Sequence, residues 1–190
     1  MTVFEYLSVF ISIIIGLAVA NILMGLSRIV GQAGHKTSLA HAAWMYWVLL
    51  FLTFFWWFSF DWRLQQIWTF GLFLWVVGYA MLVFVLAMLV TPTSEPVDGD
   101  WGEAFFARRR TFFIVAALVT VVDTADAFVK GADNLAGLDV PALLIYQGVG
   151  LVLLGVLAFT SHRRLFTGLS ILMAVHVTVT VLRFADVFGP

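Results

Sequence analysis

The chain has 190 residues, of which 63% are hydrophobic and 11% charged, and its formal net charge is −1; its mean hydropathy is +1.04. Soluble domains carry roughly 25% charged residues, and the apolar runs here reach the roughly 20 residues needed to cross a bilayer core, so a soluble globular class is excluded. A near-zero net charge leaves no extended basic face for nucleic acid, and the absence of cysteine excludes disulfides, thiolate metal sites and a thiol nucleophile.

These bounds predict an all-α polytopic membrane protein: one bundle of about six transmembrane helices over residues 1–190, with the lipid bilayer as its first partner. Phe4 to Val30 reads as the first span. Leu7 to Leu17 followed by Ala18-Val19-Ala20 has the outline of a signal peptide, but Glu5 and the lack of a preceding Lys or Arg favour a retained helix. Arg28 and the Gly31/Gly34 loop end it. Ser38 is placed to cap a second span, from about His41 to Trp62. A polar turn, Asp61 to Gln66, leads to a third from Trp68 to Thr91, and Pro92 and Pro96 mark the longest loop.

Asp100 and Glu103 have capping-box spacing, so a fourth helix begins near Trp101 and runs to Gly131. It is about 45 Å long, longer than the bilayer core, which places Arg108, Arg109 and Arg110 among headgroups. Asp139 with Pro141 opens a fifth span to about Ser161. A sixth follows His162-Arg163-Arg164 and runs to about Asp186. The opening Phe4-Glu5-Tyr6-Leu7-Ser8-Val9 and the Ser12 to Leu17 segment SIIIGL resemble small polytopic membrane proteins of bacteria; the resemblance covers the first span, implies a bacterial inner membrane and implies no activity.

Basic residues set the orientation. Connections one, three and five carry Arg28, Lys36, Arg108, Arg109, Arg110, Arg163 and Arg164, against Arg63, Lys130 and Arg183 on the other side. That asymmetry puts the odd connections in the cytoplasm and both termini outside. Trp44, Trp47 and Trp101 near inner ends, and Trp56, Trp57, Trp62 and Trp68 near outer ends, read as interfacial belts.

The chemical question lies in the fourth helix. Asp123 and Asp126 are i, i+3 neighbours, with Thr120 and Lys130 on much the same face. Two acids near a span's centre cost roughly 5–7 kcal/mol on insertion scales, against about 3–6 returned by the span's apolar residues, so these carboxylates need partners inside the bundle. Counting rise from the cytoplasmic arginines, Asp123 lies about 20 Å up, His176 and Tyr79 about 18 Å and Gln147 about 22 Å; Arg183 comes level with Lys130 at about 28–30 Å. His176, Thr180 and Arg183 share a face of the sixth helix.

This shared layer predicts a site where adjacent carboxylates resist ionising together, so that one proton or small cation is held, with His176 relaying protons and Arg183 pairing or gating. The plainer reading makes the same groups glue between helices, each contact being worth about 0.6–2 kcal/mol.

Other features carry less. The aromatic run Phe51 to Arg63 reads as a lipid anchor, with a cation cage or quinone slot as the alternative. Asn21, Gly25 and Arg28 share a face of the first helix, and Gly16/Ala20, Gly71/Gly78 and Gly148/Gly155 have close-packing spacings for helix contacts or a homo-oligomer. Haem needs axial ligands, usually His; His41 and His162 fall at the cytoplasmic interface, His35 in a loop, and His176 alone is deep. Ser170 lies on the same helix as His176 without a G-x-S-x-G elbow. No metal or cofactor is assigned, and no enzyme motif is found. The leading expectation is a small channel or transporter-like protein binding a proton or small cation. The second is a non-catalytic membrane subunit or scaffold that packs on itself or a partner subunit; a haem- or quinone-binding redox protein is third.

Overall fold

A computed structural model describes residues 2–31, 36–91, 96, 98–131, 135 and 139–185, with the side chains of the last helix described as far as Val179. Gly34, His35, Pro92 and Asp186, and the side chains of Thr180 and Arg183, therefore lie outside the described residues.

Among the described residues, six long helices make up the fold: α1 (Val3–Gly31), α2 (Leu39–Ser59), α3 (Phe70–Val90), α4 (Trp101–Val129), α5 (Val140–Phe159) and α6 (Arg163–Ala185). A 3-10 helix, Phe60–Leu64, continues α2 through most of the segment expected to be a polar turn. Among the described residues, α1 to α5 are long and apolar enough to cross a membrane, which marks a multi-pass membrane protein. No strand is formed among them; a single bridge joins Lys36 to Asp100.

The helix ends follow from side chains that satisfy the first free N–H groups. Ser38 accepts from His41 N, Thr69 from Leu72 N, Asp100 from Glu103 N and Asp139 from Ala142 N, the last with proline in the first turn. Gly131 ends α4 with φ +96°, a left-handed conformation that suits glycine. The capping box at Asp100 differs from expectation: the Glu103 carboxylate turns to Arg163, which donates to it at 2.8 and 2.6 Å.

α2 lies against α1, α3, α4 and α6, while α4 also packs closely on α3 and α5; α5 and α6 touch only lightly. Trp44, Trp101, Phe112 and Phe113 are fully buried. Trp44 and Phe113 stand edge to face at 5.0 Å, as do Phe106 and Phe166 at 4.9 Å, an arrangement that rings favour. Hydrogen bonds draw the odd connections to one end: Lys36 N donates to Gly99 O at 3.0 Å, Trp101 N donates to Lys36 O at 2.9 Å, and the Arg109 side chain donates through Nε to Thr160 O at 3.1 Å.

Two expectations are corrected by this packing. Trp44, Trp47, Trp62 and Trp101 are core residues, not interfacial belts; only Trp56 and Trp57 of the aromatic run are well exposed among its tryptophans. Depth along the chain does not give rotation about the axis, and α2 is covered by four neighbours. Trp44 even finds a buried acceptor, donating to Ser170 Oγ at 2.9 Å. Likewise Gly16, Gly78, Gly148 and Gly155 have nothing within 4 Å of where a Cβ would stand, and Gly71 meets only Thr69 Oγ1 at 3.8 Å. Among the described residues they mark no close contact between helices of this chain. Gly25 does: a Cβ there would lie 2.7 Å from Thr91, to whose hydroxyl Asn21 Nδ2 donates at 2.8 Å.

Candidate functional site

α3 and α4 run antiparallel, so residues one turn apart on each helix meet in reverse order. Trp75 Nε1 donates to Asp126 Oδ1 at 3.0 Å, and Tyr79 Oη donates to Asp123 Oδ1 at 2.7 Å. The second oxygen of each carboxylate is met from elsewhere. Gln147 Nε2 of α5 donates to Asp123 Oδ2 at 2.9 Å. Lys130, one turn on from Asp126, places Nζ 3.0 Å from its Oδ2, both side chains being about nine-tenths buried.

Two of these partners, Lys130 and Tyr79, are themselves held. Lys130 Nζ also donates to Phe58 O at 2.9 Å and lies 5.8 Å from the Trp62 ring centroid, which ties the end of α4 to the end of α2. The Tyr79 ring stands edge-on to Phe55 at 4.8 Å. Asp126 and Tyr79 are buried, whereas Asp123 and Gln147 are half-buried. The two acids thus differ in kind. Asp126 is matched by an ammonium group; Asp123 is met by a phenol and a carboxamide, both neutral.

Of the residues singled out by depth, the structure brings Tyr79, Gln147, Asp123 and Asp126 together. His176 goes elsewhere. It is exposed, and its ring lies 4.9 Å from that of Tyr146. Tyr146 and Gln147 are successive residues of α5, about 100° apart around its axis, so His176 approaches a different side of α5 from the one that reaches Asp123. Thr120 and Thr124 donate to carbonyls one turn back, Ala116 O at 3.0 Å and Thr120 O at 2.8 Å. The side chains of Thr180 and Arg183 are not described. Trp75 and the Phe58 carbonyl were not anticipated; the i, i+4 spacing of Trp75 and Tyr79 on α3 is the signal that would have found the former.

The remaining candidates take structural places. His41 is fully buried, with Nδ1 2.8 Å from Thr37 Oγ1 and Nε2 2.8 Å from Val90 O. Val90 is the last residue of α3, so His41 satisfies one of the carbonyls that a helix end leaves open. Its ring stacks on Phe105 at 4.9 Å, and with both nitrogens engaged it is not poised as an axial haem ligand. His162 Nδ1 accepts from Leu165 N at 3.4 Å in the first turn of α6. Ser170 Oγ donates to Phe166 O at 2.7 Å, away from any role beside His176 as a nucleophile.

Compared with protein-family models, curated proteins and solved structures, the chain matches none.

Proposed function

We propose that this protein is a small membrane channel or transporter-like protein in which Asp123 binds a proton or small cation. The observation that carries the reading is the imbalance at the acidic pair. Two carboxylates lie one turn apart, Lys130 is paired with Asp126, and the donors on Asp123 are the neutral Tyr79 and Gln147. A carboxylate at bilayer depth is costly unless its charge is compensated, and adjacent carboxylates disfavour joint ionisation. A mobile positive charge at Asp123 meets both requirements. Tyr79 and Gln147 aim donors at both oxygens, which favours the ionised carboxylate; a proton can be taken up once the Tyr79 hydroxyl turns from donor to acceptor, whereas a metal-sized ion needs both positions filled by oxygen ligands.

In this reading Asp126 and Lys130 are the fixed pair beside the site, and Gln147 is the contact through which α5 senses the state of Asp123. The helices span a bacterial inner membrane, with the odd connections cytoplasmic by their excess of arginine and lysine and both termini outside. The test is flux in reconstituted vesicles: Asp123→Asn should abolish pH-driven flux without loss of fold, and wild-type protein that moves neither protons nor small cations would end the reading.

A second reading is favoured by a separate observation. Trp75–Asp126 and Tyr79–Asp123 form a two-rung ladder between α3 and α4, the form that interhelical glue takes in membranes. The protein would then be a scaffold or subunit, and Asp123→Asn would change stability or assembly alone.

A further inference from the structure

At the end of the bundle opposite Lys130, three guanidinium groups are drawn together. Phe106 is the anchor: Arg109 Cζ lies 4.0 Å and Arg163 Cζ 3.6 Å from its ring centroid, within the range of cation–π attraction. Arg109 is pinned further by donating to Thr160 O at 3.1 Å and to Phe106 O at 2.9 Å. Arg110 stands one helical turn from Phe106, and its Cζ lies 5.7 Å from the Phe159 ring on α5. The charged groups that act on Arg109 are Arg110 and Arg163. Glu103 answers Arg163 through a bidentate pair, so three cations face one paired carboxylate.

What runs away from this cluster is apolar and uncovered. On α4, Ile114 and Leu118 follow Arg110 at i+4 and i+8 and are 59% and 50% exposed. On α5, Val156 and Val152 precede Phe159 by three and seven residues, on one face, and are 42% and 66% exposed. The Arg110–Phe159 contact joins the heads of these two stripes, and α4 and α5 pack closely against each other. A cationic head with two apolar rails has the chemistry of one molecule class, a two-chain phospholipid with an anionic headgroup.

We infer that the Arg109, Arg110 and Arg163 cluster, with the exposed stripes of α4 and α5 beneath it, binds an anionic phospholipid, the phosphate on the guanidinium groups and the acyl chains along the stripes. Glu103 holds the Arg163 fork and two carbonyls hold Arg109, so these two supply positive charge, and the planar fork that donates two parallel hydrogen bonds to phosphate is that of Arg110. This site is separate from Asp123 and stands whether or not the chain conducts ions.

The full-length protein, purified and stripped of lipid, would be titrated in detergent with phosphatidylglycerol and with phosphatidylcholine of the same acyl chains, binding being read by native mass spectrometry. Phosphatidylglycerol should bind one to one and at least about fivefold more tightly, and Arg110→Gln should weaken it by about fivefold, the value of one surface charge near an anionic lipid. Glycerol 3-phosphate, a headgroup without chains, should not displace it. Equal retention of the two lipids would overturn the proposal, as would binding unchanged in Arg110→Gln. Glycerol phosphate binding as well as the lipid would make this a free-anion site, and a lipid-independent dimer shielding Ile114 and Val152 from labelling would make it an interface between copies; either result overturns it. If Arg110→Gln does not fold, the wild-type comparison of the two lipids decides alone.

Discussion

Asp126 and Asp123 are a single turn apart, yet their surroundings predict opposite responses to substitution. Lys130 and Asp126 are about nine-tenths buried and 3.0 Å apart, so removing one partner strands the other. Lys130→Met should cost about 3–5 kcal/mol in reversible unfolding, and adding Asp126→Asn to it should recover most of that loss, because deleting both members of a buried pair is often near neutral. A double-mutant cycle with no coupling would contradict the pairing. Tyr79→Phe keeps the ring against Phe55 and removes only the hydroxyl on Asp123; a loss of about 0.6–1.7 kcal/mol in stability is expected, with flux reduced several-fold. At this scale the sequence was partly readable. The i, i+4 spacing of Asp126 and Lys130 announces their contact, and rise per residue puts Tyr79 and Gln147 level with Asp123. The same count put His176 level too, and there it stops being informative: rise gives depth, whereas azimuth depends on how each helix is turned by its neighbours.

Helix boundaries were the most legible elements, since Ser38, Asp100, Asp139 and Gly131 act through local geometry that neighbouring helices do not alter. Which glycines allow close approach was not legible, because spacing along one helix says nothing of what lies across from it. The structure separates them by a simple measurement. Gly25→Ala must displace Thr91, whose side-chain atoms lie 2.7 Å from the added carbon, and should lower thermal stability by about 1–3 kcal/mol, the usual cost of overpacking. Gly148→Ala meets nothing within 4 Å and should leave the melting temperature within a degree or two or raise it, alanine being the better helix former. A large loss at Gly148 would show that α5 packs against a second copy. The cap made by His41 belongs to this scale as well. His41→Phe retains the stack on Phe105 but leaves Val90 O without its donor, which should cost about 1–3 kcal/mol in the same melts.

For the molecule as a whole, the two ends are built differently. One gathers the odd connections through Lys36, Gly99, Trp101, Arg109 and Thr160 and is packed with aromatic rings. Toward the other, α5 leans on α4 with few buried residues, Leu154, Leu157 and Ala158 all lying in its last turns. Gln147 sits in the less buried half of α5, and its hydrogen bond to Asp123 ties that half to α4. A change of charge at Asp123 would therefore act on the half of α5 that has no fully buried residue among those described, where a shift of the helix disturbs the least packing. The most direct measurement is proton flux into vesicles containing wild-type protein, Asp123→Asn and Lys130→Met with Asp126→Asn. The account predicts flux in the wild type, none in Asp123→Asn although it melts as the wild type does, and measurable flux in the double variant. Equal flux from the wild type and Asp123→Asn would contradict it.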